Sequence, residues 1–151
     1  LYSGLVVIIL GITITASLTF TNASLRDKKR SEVVANERFV REKSDWLFSG
    51  LESNDVITPL TSGGTLDATL SSGQRIRLQL TGTTLELVRD TNGDGAITAA
   101  DTKSALTNQY VTVSDLTFAR ETWNGQPTFV MTCRMASENF SLNFQKRVYL
   151  Q

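Results

Sequence analysis

From Leu1 to Leu25 the chain reads Leu-Tyr-Ser-Gly-Leu-Val-Val-Ile-Ile-Leu-Gly-Ile-Thr-Ile-Thr-Ala-Ser-Leu-Thr-Phe-Thr-Asn-Ala-Ser-Leu, with no side chain charged at neutral pH. At ~1.5 Å per residue a helix of this length crosses most of a ~30 Å hydrocarbon layer, so a bilayer or other copies of the segment must cover it. Beyond Ser31 the helical period continues with charge added. Val33, Val40 and Leu47 recur every seven residues, and Ala35, Phe39, Glu42 and Trp46 form the neighbouring row. One face is therefore mostly apolar and is expected to dock on a sheet. Gly50 stands where a helix stop belongs. Between the halves, Arg26-Asp27-Lys28-Lys29-Arg30 has four cations and one acid, a net charge of plus three. Such a cluster suits the headgroup boundary of a membrane, or equally a solvated collar on a long helix.

Within the apolar half, Ile12 to Thr21 alternates apolar and hydroxyl side chains, a strand period rich in β-branched residues. In a bilayer the segment must close its own backbone hydrogen bonds and be helical, whereas inside a protein assembly it can partly unwind. Residues 52–65 form a connector by their Ser, Asn, Asp, Gly and Pro content. The remainder, 66–151, reads as antiparallel strands. Arg75 to Leu80 alternates, Thr81-Gly82-Thr83 turns, and Leu85 to Arg89 returns. Val111 to Val113 and Leu116 to Phe118 are further strand pieces that lead to Asn124-Gly125, a strong hairpin signal. The following strand places Phe129, Met131, Cys133 and Met135 on one face. The last places Phe140, Leu142, Phe144, Val148 and Leu150 on one face, against Asn143, Gln145, Arg147 and Tyr149 on the other. The expected class is α+β: a helix over 1–51 whose apolar half (1–25) protrudes and whose amphipathic half packs on an antiparallel β head.

Composition narrows the functional classes. About 125 residues follow the apolar segment, enough for one modest domain. Fifteen Lys plus Arg balance fifteen Asp plus Glu, so no net field points to nucleic acid, and a neutral surface favours self-association. The single Cys133 forms no intramolecular disulfide and, on its inward face, reads as a small buried hydrophobe. Histidine is absent, which removes the commonest general base and the commonest zinc ligand. No enzymatic role is expected.

One motif carries chemistry. Asp90-Thr91-Asn92-Gly93-Asp94-Gly95-Ala96-Ile97-Thr98-Ala99-Ala100-Asp101 follows the calcium-loop pattern, with oxygen side chains at places one, three and five and Gly at six. A hard cation takes about six to eight oxygens at ~2.4 Å, and alternate residues of a tight loop aim theirs inward. Asp90, Asn92, Asp94, the Ala96 carbonyl, Thr98 and Asp101 are the candidate Ca2+ ligands. Asp101 is shorter than the usual Glu, which makes bidentate closure weaker. The alternative is a plain turn between a strand and a short helix near Ala99 to Leu106. Because strand-like Leu85 to Arg89 enters the loop, it is closer to the dockerin type than to a true EF-hand, and its expected role is to tie down a loop.

An uncharged apolar start, an amphipathic continuation to about residue 50, a connector and an antiparallel sheet resemble the type IV pilin and type II secretion pseudopilin superfamily. The family begins with an N-methylated Phe and carries a Glu at the fifth mature position; Leu1 and Leu5 stand at those places here. The resemblance implies N-methylation of Leu1, removal of a leader by a leader peptidase, and contact with a pilus assembly machinery. A start at Leu1 without an initiator Met agrees with a mature chain, and a shortened chain would begin in the same way. Several members bind calcium in the head, and the family often unwinds its helix past the middle of the apolar half within a filament.

The expectation is a structural, adhesive subunit of an extracellular filament, a helical homo-oligomer assembled through Leu5, Val6, Val7, Ile8, Ile9, Leu10, Ile12 and Ile14. Before assembly it is held in the cytoplasmic (inner) membrane. The alternatives are a minor pseudopilin of a secretion system, which the missing Glu favours, and a monomeric membrane-anchored calcium-binding module.

Overall fold

A computed structural model describes residues 2–49, 51, 64–70, 72–138 and 140–149. Leu1, Gly50, Leu150 and nearly all of the expected connector lie outside the described residues. A single helix, α1 (Tyr2–Ser49), carries both sequence halves; at ~1.5 Å per residue it is roughly 70 Å long. Ile12 to Thr21 is helical in spite of its strand period, because its hydroxyls find acceptors on their own helix. Thr13, Thr15, Thr19 and Thr21 each donate to the carbonyl four residues back, at 2.8–2.9 Å. This back-bonding gives four of the arm's hydroxyls an acceptor on their own helix.

The head is built from two antiparallel meanders. β1 (Thr65–Thr69), β2 (Arg75–Thr81), β3 (Thr84–Arg89) and β4 (Thr102–Ala105) form one sheet in that order. β5 (Thr112–Trp123), β6 (Gln126–Ser137) and β7 (Phe140–Tyr149) form the other. Both expected tight turns are present. Thr81 pairs with Thr84 across Gly82 at φ 62°, and Trp123 pairs with Gln126 across Asn124 and Gly125 at φ 51° and 79°. Two positive φ values in succession match the twist of the flanking strands. The pieces Val111 to Val113 and Leu116 to Phe118 belong to one course of chain, in which β5 is bulged between Ser114 and Thr117 with Asp115 at φ 54°. The bulge shifts the strand's parity, so that Val113, Leu116 and Phe118 are all buried. The segment after the calcium-type loop is strand β4, paired with β3, and not a short helix; residues 102–105 find ladder partners on β3 that outweigh local helix preference.

α1 lies on the β6–β7 face. Val33, Asn36, Val40, Ser44, Leu47 and Phe48 are its buried positions, and they meet the inward set Phe129, Met131, Cys133, Met135 and Phe144 in one apolar cluster. Phe48 packs on Phe129 at 5.1 Å between ring centroids, and Phe129 stacks on Phe118 at 5.8 Å. The expected second row is not in the core: Ala35 and Glu42 are exposed, Phe39 is 42% exposed and Trp46 51%. The sheet contacts the helix on the other side of the Val33–Val40–Leu47 line, where Asn36 and Ser44 satisfy their polar groups. Asn36 Oδ1 accepts from the Asn108 amide at 2.9 Å, and its Nδ2 donates to the Glu32 carbonyl at 2.9 Å. Trp46 instead receives the Arg89 guanidinium over its ring at 5.0 Å. A second stack, Arg147 on Trp123 at 4.1 Å, lies at the far end of the other sheet. The two sheets share the core and are joined by the Val113 amide donating to the Thr83 carbonyl at 2.8 Å.

Leu47→Ala should destabilise the head by about 2–5 kcal/mol, since it empties a filled site between helix and sheet. Trp46→Ala should cost about 1 kcal/mol or less. Urea unfolding of the full chain in mild detergent separates the two, and equal losses would contradict the helix rotation described here. Burial pushes the Cys133 thiol up to about 12, so native protein at pH 8 should not react with an aromatic disulfide reagent until it is unfolded.

Candidate calcium loop and assembly arm

The loop 90–101 joins β3 to β4 as the end of a hairpin, with Arg89 and Thr102 paired at its base. Two antiparallel strands thus stand where an EF-hand has two helices. The loop is also pinned from β2. The Asp90 amide donates to the Arg75 carbonyl at 2.9 Å, and Arg75 Nη1 donates to the Gly95 carbonyl at 2.8 Å. Gln74 Nε2 donates to the Asp90 carbonyl at 3.2 Å.

Inside the loop, carboxylates hold amides. Asp90 Oδ1 accepts from the Gly93 N–H at 2.7 Å and Oδ2 from the Gly95 N–H at 2.9 Å. Gly95 stands at φ 76°, a conformation that a side chain would strain at the sharpest point of the turn. Asn92 Oδ1 accepts from the Asp94 N–H at 3.3 Å, and Asp94 Oδ1 accepts from the Ala96 N–H at 2.8 Å. Asp101 closes the loop. Its Oδ2 accepts from the Thr98 N–H at 2.6 Å and its Oδ1 from the Thr91 N–H at 3.1 Å, with the two threonine hydroxyls adding weaker bonds. The Thr98 and Thr91 amides hold the Asp101 carboxyl below the usual carboxylate range. Asp90 is 4% exposed and Asp101 6%, whereas Asn92, Asp94, Ala96 and Thr98 are exposed.

The candidate donors are all oxygens, the chemistry a hard cation takes. Among the described residues Asp90, Asp94 and Asp101 make no ion pair, so three carboxylates share one short loop, and the Arg75 guanidinium that reaches it bonds the Gly95 carbonyl. Each Asp90 oxygen accepts one bond and keeps a lone pair, and the Asp94 oxygens likewise. Among the described residues, however, no three His, Cys, Asp or Glu side chains come together to hold a metal ion. In this conformation the carboxylates bind loop amides, and Asp101 is taken up by Thr91 and Thr98. Asp101 therefore serves first as a clamp across the loop, a role that the spacing pattern alone does not reveal.

The other candidate residues lie on the arm. Residues 2–28 of α1 are exposed throughout, and Leu5, Val6, Val7, Ile8, Ile9, Leu10, Ile12 and Ile14 are each 54–68% exposed. By length and composition α1 is long and apolar enough to cross a membrane. Gly11, Thr15, Thr19 and Ala23, spaced by four, line a shallow groove with Ile8, Ile12, Ala16 and Phe20 on its walls. Small residues at this spacing let a second helix approach closely. Leu1, the expected methylation site, lies outside the described residues. No known protein family, characterised protein or solved structure matches this chain.

Calcium at a hundredfold excess over its dissociation constant should stabilise the full chain by about 2.7 kcal/mol. Asp94→Ala should remove most of that gain while leaving the metal-free melting temperature nearly unchanged, because Asp94 is exposed. Calorimetry with calcium and with chelator checks this; identical melts of the unaltered chain would exclude a stabilising site.

Proposed function

We propose that this chain is a structural subunit of an extracellular filament of the type IV pilus class, with its apolar arm in the filament core and its β head on the outer surface. The observation that carries the reading is the arm. A head with its own apolar core carries 27 consecutive exposed residues, 2–28, of which the first 24 bear no charge. Water solvates such a surface poorly, and the small-residue groove from Gly11 to Ala23 supplies a face on which a second copy can pack. Lipid of the cytoplasmic membrane covers the arm before assembly, and identical neighbours replace it afterward. Contact with an assembly machinery belongs to the same proposal.

Calcium has a local task in this scheme. Bound by Asp90, Asn92, Asp94, the Ala96 carbonyl, Thr98 and Asp101, it would neutralise the loop and lock the β3–β4 hairpin on the outer surface.

Electron microscopy of native material should show filaments. Ile12→Asp, which puts a charge into the arm at a cost of roughly 2.5–3.5 kcal/mol near the centre of an apolar layer, should leave dispersed, folded heads. Dispersed monomers of the unaltered chain that never polymerise would sink the proposal. Within a filament Ile12 to Thr21 is where α1 should open, and a reconstruction with an unbroken helix there would remove that part alone.

A further inference from the structure

Where the arm meets the head, Glu138 at the end of β6 and Phe140 at the start of β7 lie beside the helix. Lys29 pairs with Glu138 across this junction, and Arg30 lies over the Phe140 ring at 5.7 Å. Between them is a notch of about 620 Å3 lined by Leu25, Arg26, Asp27, Lys29, Arg30, Glu138 and Phe140, among others. Its charge is unbalanced. Glu138 is spent on Lys29, while among the described residues Arg26, Asp27, Lys28 and Arg30 make no ion pair. Along the notch Arg26, Lys29 and Arg30 stand with Asp27 and Glu138, a net charge of plus one. Arg26 and Arg30, one helical turn apart, both line the notch, and Lys28 does not.

The notch is also amphiphilic. Leu25 is exposed and Phe140 partly buried, so both offer apolar surface beside the guanidinium groups. It opens where the apolar arm ends, the level at which the head of an arm held in a bilayer meets phospholipid headgroups. We propose that this notch binds the phosphate of an anionic phospholipid, with Arg26 and Arg30 as donors to the phosphate oxygens and the glycerol end of the acyl chains against Leu25 and Phe140. Arginine suits this task because its planar fork matches phosphate geometry and its charge does not titrate. The contact would set how deeply the arm sits and which face of the head rests on the membrane before assembly. The inference rests on the membrane-held state proposed above.

Flotation of the full chain with vesicles of phosphatidylcholine alone, and of phosphatidylcholine with one third phosphatidylglycerol, tests it. The arm should carry the chain into both, and the anionic vesicles should take up roughly fivefold more, as expected for one uncompensated positive charge at an anionic surface. The pair R26Q and R30Q should bring the preference close to one, while K28Q should keep most of it. Equal uptake by the two vesicles overturns the lipid site and leaves the arm's role intact. A loss with K28Q as large as with the Arg pair shows a diffuse charge effect and overturns the notch. Cancellation of the preference by inorganic phosphate at matched ionic strength identifies a free-phosphate site and overturns the lipid assignment. Uptake by neither vesicle overturns the membrane-held state together with the lipid site.

Discussion

The seam between the second half of α1 and the β6–β7 face carries the architecture. Val40, Leu47 and Phe48 close over Phe129, Met131 and Phe144, all at most 3% exposed, and removing any of them opens a void that the close-packed neighbours cannot fill. Because the helix is continuous, this seam also sets the direction of the arm. Lys29 meets Glu138 at the end of β6, and residues 2–28 beyond it are exposed. A second ion pair, Lys146 with Asp45, and the Arg41 guanidinium over Phe144 at 5.2 Å fasten the seam along its length. These contacts add orientation more than stability, since partly exposed ion pairs contribute little.

The arm and the head satisfy their polar groups by different means. On the arm, four threonines return their hydroxyls to carbonyls one turn back. In the head, strand ladders satisfy the backbone, and the long β3–β4 connection, which has no ladder, satisfies its amides with the carboxylates of Asp90, Asp94 and Asp101. That loop is thereby ordered at the cost of concentrating negative charge. The concentration is the physical basis for the calcium proposal, and the hairpin setting makes the proposed ion a fastener with no helix pair to switch.

The head's surface carries its chemistry at separate places. The calcium-type loop caps the β1–β4 sheet, the two Arg–Trp stacks shield Trp46 and Trp123, and the basic collar sits at the neck. The neck joins charged and apolar surface in one recess, which is why the lipid proposal belongs there.

Much of this was legible from residue order alone. The uncharged run to Leu25, the heptad of Val33, Val40 and Leu47, the turns at Gly82 and Asn124-Gly125, and the inward alternation of Phe129 to Met135 are local patterns, and local sterics and periodicity determine them. The calcium-type loop was legible as a spacing pattern for the same reason. Other features depended on partners distant in the chain. Whether Asn36 and Ser44 or Phe39 and Trp46 face the sheet is a rotation of α1 about its axis, decided by the Asn108 amide and by Arg89. The division into two sheets, the bulge that turns both Val113 and Leu116 inward, and strand β4 in place of a helix follow from ladder partners that no window of sequence contains. Asp101 acting as a clamp on Thr91 and Thr98 is of this kind too, since the strands that close the hairpin bring the two ends of the loop together. Local preference sets which elements can form, and the shared core selects which of their faces are buried.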